Sequence, residues 1–247
     1  MDSFLQRIPP VTRNLLIINI ILWAVPTFMP SLGHSLEVYC ALHYFSSPGF
    51  NVAQLFTYMF LHANFSHLFF NMFALLVFGA PVERAMDSRR FLFYYITCGI
   101  VAGLIQMGIF SLVIHRYASM YSSEEYHEII RQGWNIMKNG YNFTDPTLGT
   151  LNALVNQPMV GASGAIFGVI LAMGMLFPNQ PMYIMFIPYP VKVKWIVVGY
   201  AVIELVQGMG NLASNVAHFA HLGGMVAGLF LILYWKKKGV FNNHWFF

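Results

Sequence analysis

Few side chains here could do chemistry, and the ones that could cluster at the starts of three otherwise apolar runs. His62-Ala63-Asn64-Phe65-Ser66-His67 opens one run, which continues to Asn71. Gly161-Ala162-Ser163-Gly164-Ala165 opens a second, and His218-Phe219-Ala220-His221-Leu222-Gly223-Gly224 a third. A serine between glycines at a helix start has an accessible hydroxyl and free backbone N–H groups beside it. That suits attack on a carbonyl and capture of the resulting oxyanion. Such a serine needs a base, and with no lysine at a matching depth a histidine must serve. His221 is preferred to His218 because Gly224 and Gly228 share its helix face. With Gly164, Gly168 and Ala172 they form small-residue faces on which two helices pack closely, bringing the imidazole to Ser163. His67 and Asn71, four residues apart on one face, can both donate to an oxyanion.

Each of these residues also has an ordinary reading. Ser163 can bond back to its own helix, Asn71 can bridge two helices, and His218, nearer the loop, reads as a wet interfacial histidine. His62, His67, His218 and His221 could be imagined around a zinc ion. No H-E-x-x-H pair is present, however, and no carboxylate lies near His218 and His221 in sequence, so no metal and no cofactor are expected. Glu204, an acid in the middle of an apolar run, is read as bonding a neighbouring helix, with proton handling near the site as the alternative.

The setting of these clusters is lipid. Of 247 residues, 57% are hydrophobic and 9% charged, and the mean hydropathy is +0.60. A soluble domain carries about 25% charged residues; the polar residues here could not cover a surface in water. The net charge of +4 comes from basic residues in short loops, so nucleic-acid binding is not expected. Cys40, placed in a polar loop, and Cys98, within an apolar run, give no disulfide framework. Neither a cleavable signal peptide nor a lipidation motif is expected at the ends.

Apolar stretches suited to a hydrocarbon core of about 30 Å fall near 13–30, 64–82, 91–114, 163–177, 193–210 and 219–235. The fourth runs only from Ser163 to Pro178, roughly 22 Å as helix, too short to span alone. One of its ends should therefore sit within the membrane, beside water. Arg7, Arg13, Arg84, Arg89, Arg90, Lys192, Lys194 and Lys236 to Lys238 all fall at one side of the spans, which places both termini in the cytoplasm. His67, Ser163 and His221 then share one layer near the outer face. The long polar stretch 115–159 carries Tyr126, Ile129, Ile130, Trp134 and Met137 at helical spacing. It reads as an external amphipathic helix at the membrane surface, with a flexible linker as the alternative.

At these residues the chain resembles the rhomboid family of intramembrane serine proteases. Gly161-Ala162-Ser163-Gly164 resembles the family's G-x-S-G, which implies Ser163 as nucleophile. Ala220-His221 with Gly224 and Gly228 resembles A-H-x-x-G-x-x-x-G, implying His221 as base, and His67 with Asn71 resembles the H-x-x-x-N that supplies the oxyanion pair. Gly79 to Glu83 resembles the stretch that closes the second span. The resemblance runs from about Leu15 to Trp235 and implies an all-α polytopic bundle of six transmembrane helices, one domain over 1–247. Its implied activity is cleavage of transmembrane substrates near their outer ends by a Ser–His dyad, with no third acid and no cofactor. It also implies a side entrance between the second and fifth spans, capped by residues 208–217. The family's Trp-Arg pair is here Ala53-Gln54, which puts surface anchoring by that loop in question. A bacterial plasma membrane is the expected location. The rival readings are a non-catalytic relative that binds membrane clients, disfavoured because serine and histidine are both present, and a transporter, disfavoured because no internal repeat is visible.

Overall fold

A backbone threaded through lipid finds no water to bond, so a chain this apolar must close its hydrogen bonds within helices. The computed structural model, which describes residues 4–183, 188–210 and 217–241, is built this way. In chain order come α1 (Pro10–Phe28), α2 (Pro30–Cys40), α3 (Gln54–Thr57), α4 (Phe65–Met86) and α5 (Ser88–Ala118). They are followed by α6 (Ser123–Lys138), α7 (Pro146–Asn156), α8 (Ser163–Leu176), α9 (Val193–Gly210) and α10 (His218–Lys237). Between α8 and α9, β1 (Pro181–Met182) and β2 (Val191–Lys192) pair antiparallel.

Among the described residues α4, α5, α9 and α10 are long and apolar enough to cross a membrane, while α8 and the apolar part of α1 are shorter. The surface is inverted relative to a protein in water. Ile17, Ile18, Ile20 and Ile21 of α1, Phe69, Phe70 and Phe73 of α4, and Val202, Ile203 and Val206 of α9 face outward, whereas Thr12, Asn19, Gln106 and Glu204 are buried. The protein is an all-α polytopic membrane bundle.

At its centre stands α8, packed against α4, α5, α9 and α10. The approach to α10 leaves no room for side chains. A Cβ on Gly224 would lie 1.8 Å from the Gly164 carbonyl oxygen, and one on Gly228 would lie 3.4 Å from the Gly168 Cα and 2.1 Å from the Tyr94 hydroxyl. Tyr94 bonds the Gly168 carbonyl at 2.7 Å, so the glycine faces of α8 and α10 form one seam locked from α5.

Several helix starts are satisfied by side chains, most of them from the adjoining N-cap residue. Asn64 caps α4, Asp87 caps α5 and Asp145 caps α7, while Ser122 and Glu125 form a capping box on α6. The first turn of α1 is capped across the bundle. The Glu83 carboxylate accepts from Val11 N at 2.9 Å, from Thr12 N and Oγ1 at 2.7 Å each, and from Ser88 Oγ at 2.6 Å. A π-helical turn over Leu75–Gly79 resets the register of α4 just before this glutamate.

Some sequence expectations shift. The third span runs on to Ala118, about 46 Å at 1.5 Å per residue, longer than the hydrocarbon core. The stretch 115–159 holds two helices. α6 is amphipathic as the spacing indicates, with Ile130 and Gly133 inward and Glu124, Glu125 and Glu128 in solvent. α7 then folds back on it, Asn156 donating to the Ile130 carbonyl at 2.9 Å. Cys40 closes α2 instead of lying in a loop, because the polar stretch after Pro30 carries enough apolar residues to pack a short helix on α1. Both cysteines are free. Gln54 is fully buried and staples its loop, accepting from His43 N at 3.1 Å and donating to the Gly49 carbonyl at 2.8 Å.

Candidate active site

Backbone bonds on both sides position the serine. Leu42 and Met159 exchange N–H···O bonds of 2.9 and 2.8 Å, and Gly161 N donates to the Tyr58 carbonyl at 3.0 Å. Gly161 itself has φ +132°, a conformation open to glycine. A Cβ there would meet His67 Nε2 at 2.8 Å and lie 3.7 Å from Ser163 Oγ, so the serine hydroxyl and the His67 ring flank one bare α-carbon. Ser163 is the first residue of α8. Unlike α4, α5, α6 and α7, α8 has no side-chain cap, and the amides of its first turn are left without a capping acceptor.

From α10, His221 reaches across the glycine seam to place Nε2 2.8 Å from Ser163 Oγ. Its ring stacks on Phe167, one turn below Ser163 on α8, with centroids 4.3 Å apart and planes 3° apart. The start of α10 is fixed by α5, where Gln106 Oε1 accepts from Ala220 N at 3.0 Å. On α4, the buried Asn71 has a side-chain Nδ2 without a hydrogen-bond partner among the described residues. Ser163, His221, His67, Asn71 and Phe167 line one cavity of about 990 Å³, and α7 with its preceding loop contributes Asn142, Phe143, Asp145, Thr150 and Gln157 to its wall. The long insert is therefore part of the site.

Of the residues singled out from sequence, Ser163, His221, His67 and Asn71 meet at this cavity. Gly161, Gly164, Gly168, Gly224 and Gly228 form the turn and the seam that bring them there. His62 stays beside them, its ring 5.1 Å from that of His67; it lies before the span, and burial pushes its pKa down to about 3. The remaining part of the proposed cap, residues 211–216, lies outside the described residues.

Two histidine-side expectations change. His218 is buried rather than wet, its Nδ1 2.7 Å from Glu204 Oε2. An acid does stand near the imidazole pair: the same Glu204 oxygen lies 2.9 Å from His221 Nδ1. That approach is off the ring's donor axis, so His221 Nδ1 has no aligned hydrogen bond. A depth count would have found Glu204. It sits eleven residues into α9, about 16 Å along a helix that starts at the opposite side, which brings it toward the layer of Ser163 and His221. Phe167 carried no signal beyond its i+4 spacing from Ser163.

The arrangement can do acyl transfer: a hydroxyl held against an imidazole nitrogen, beside donors without partners, in a cavity open to water. Residues 49–238, most of the chain, match the Rhomboid domain family. The chain is 30% identical to rhomboid protease AarA of Providencia stuartii over 69% of its own length and 51% of that protein's. It is 27% identical to rhomboid protease GluP of Bacillus subtilis (77% of this chain, 28% of that protein). It is also 27% identical to the mitochondrial RHOMBOID-like protein 12 of Arabidopsis thaliana (69% and 42%). The chain thus spans about half the length of these relatives or less. With most of its length matched to one domain family, the chain belongs to the rhomboid family.

Proposed function

We propose that the chain is an intramembrane serine endopeptidase that cuts transmembrane helices of other membrane proteins near their outer ends, acting as one membrane domain over 1–247. The observation that carries this reading is the 2.8 Å contact between Ser163 Oγ and His221 Nε2 at the floor of an open cavity. Family membership supports it.

In this reading Ser163 Oγ attacks the scissile carbonyl carbon while His221 Nε2 takes its proton. The oxyanion is held by the Ser163 N–H, by Asn71 Nδ2 and by His67. As the C–N bond breaks, His221 returns the proton to the leaving amine, and a water from the cavity hydrolyses the acyl-enzyme by the same steps. Phe167 keeps the imidazole plane fixed throughout. Substrate helices must unwind to expose the scissile bond, so small or helix-breaking residues near their outer ends are expected. Their entrance lies between α4 and α9, whose outward faces carry Phe69, Phe73, Val202 and Val206. A crosslink joining those helices should stop cleavage, and unchanged cleavage would remove gating there. No metal and no nucleic acid enter this scheme. The membrane is proposed to be a bacterial plasma membrane with both termini in the cytoplasm, following the basic residues.

The test is a fluorophosphonate serine probe applied to detergent-solubilised protein. Labelling of wild type, lost in Ser163→Ala and in His221→Ala with both variants folded, is the expected result. Labelling that survives Ser163→Ala, or none in wild type, would overturn the assignment and favour a non-catalytic client-binding member of the fold.

A further inference from the structure

The mechanism above uses no carboxylate, yet one buried carboxylate lies against the imidazole pair. Glu204 projects from α9 with about 8% of its surface exposed. One oxygen, Oε2, lies 2.7 Å from His218 Nδ1 and 2.9 Å from His221 Nδ1. Since His221 presents Nε2 to Ser163, a chain of polar contacts runs from Ser163 through His221 to Glu204 and ends on His218. We propose that Glu204 is a positioning residue that makes the Ser–His pair a triad, with His218 as the anchor that holds the carboxylate in place; the proposal rests on the serine-protease reading.

Three arguments carry it. First, a neutral His221 that accepts the Ser163 proton at Nε2 must carry its own hydrogen at Nδ1. That N–H is buried and finds no aligned partner among the described residues. A buried donor left unsatisfied is costly, and Glu204 Oε2 is already within hydrogen-bond distance, needing only a small rotation to align. Second, when the imidazole takes the serine proton it becomes a cation in a low-dielectric setting. Glu204 is the anion in contact with it. The other titratable groups facing His221 are His218 on its own helix, Ser163 from α8 and His67 from α4. Gln106, from α5, is uncharged. Third, the carboxylate is held rather than loose: His218 Nδ1–H donates to it in good alignment, and a Cβ on Gly208 of α9 would meet His218 Cβ at 3.2 Å, so α9 and α10 are in close contact at this point.

The same three groups could be read as metal ligands, their donor atoms lying within 4.8 Å of one another. Separations of 2.7 and 2.9 Å are hydrogen-bond lengths. Donors on a tetrahedral zinc ion with bonds near 2.05 Å stand about 3.3 Å apart. The observed spacing fits shared protons.

The measurement is the rate of fluorophosphonate labelling of full-length protein in detergent as a function of pH, for wild type, Glu204→Gln and Glu204→Asp. Glutamine keeps the shape and one acceptor but removes the charge. Its expected labelling rate is about tenfold lower at neutral pH, with the acid limb of the profile about one unit lower, because the imidazolium has lost its counter-ion. Aspartate should restore most of both. A rate and limb identical to wild type in folded Glu204→Gln would overturn the proposal while leaving the Ser163 and His221 assignment intact. Labelling that persists in Ser163→Ala would instead sink the reading beneath it. Loss of wild-type labelling on chelator treatment would overturn the triad in favour of a metal site. Should Glu204→Gln fail to fold, His218→Gln decides: a several-fold slower rate supports the anchor, and an unchanged one refutes it.

Discussion

Replacing Gly224 with alanine tests whether the glycine seam sets the geometry of the site. The new Cβ would stand 1.8 Å from the Gly164 carbonyl oxygen, where real Cβ contacts stay above 3.0 Å, so α8 and α10 must part by roughly 1.2 Å along that line. Backbone cannot rotate aside as a side chain can, and Gly164 is held within the first turn of α8. His221 lies one turn before Gly224 and moves with it. Its 2.8 Å contact with Ser163 Oγ lengthens to about 4 Å, outside hydrogen-bond range. Overpacking of this kind costs about 1–3 kcal/mol of stability, whereas a displacement near 1 Å at reacting groups costs about 10²-fold in rate. The expected result is a protein that still folds, with a thermal midpoint a few degrees lower and fluorophosphonate labelling about 10²-fold slower. Gly199→Ala on α9 is the control, because a Cβ there meets nothing within 4 Å; it should label as wild type and be slightly more stable. Gly224→Ala labelling at the wild-type rate would refute the coupling of seam to site.

Glu83→Gln should lower stability by about 3 kcal/mol, since an amide nitrogen would face two donors that now share a carboxylate oxygen; an unchanged thermal midpoint in detergent would contradict this. Gln54→Ala should leave His43 N–H and the Gly49 carbonyl without their partner and cost about 1–3 kcal/mol. Faster limited proteolysis between α2 and α3 is the readout, and unaltered cleavage speaks against the staple. Burial holds His43 below its ordinary pKa and His62 at about 3, so the fold binds fewer protons than the unfolded chain. Their contribution is complete above about pH 6.5. It is lost as pH falls below that value, for His62 continuing toward 3. Thermal midpoints at pH 7.5, 6 and 5 should therefore decline, and less steeply in His62→Phe; a flat series would show the histidines to be uninvolved.

The features legible in the sequence were those with a period or a local pattern. Apolar runs fell on the apolar helices, long and short, to within a few residues, and glycine spacing on two distant runs pointed to their contact. The depth rule gathered His67, Ser163 and His221 into one layer. What stayed hidden depended on partners far apart in sequence. Glu204 looks like a lone acid until α9 and α10 are side by side, and His218 looks wet until Glu204 is beside it. Gln106 capping Ala220 and Glu83 capping Val11 and Thr12 join residues more than seventy positions apart, with no local signature. The insert was legible as amphipathic helix, but its role as a cavity wall required α7 to fold back onto α6.

The Glu83 cap has a consequence for how the protein is made. The first turn of α1 leaves the ribosome 71 residues before the carboxylate that satisfies it. At about 5–20 residues per second that is an interval of roughly 4–14 s. Through that time the leading amides of α1 are without the carboxylate that caps them. Docking waits for α4, whose Arg84 also reaches the Arg7 carbonyl at 2.8 Å. Biogenesis is therefore ordered: α1 receives its cap late, from a latch carried on α4. Nascent chains arrested before Glu83 emerges should hold α1 exposed to whatever helices or insertion factors lie nearby.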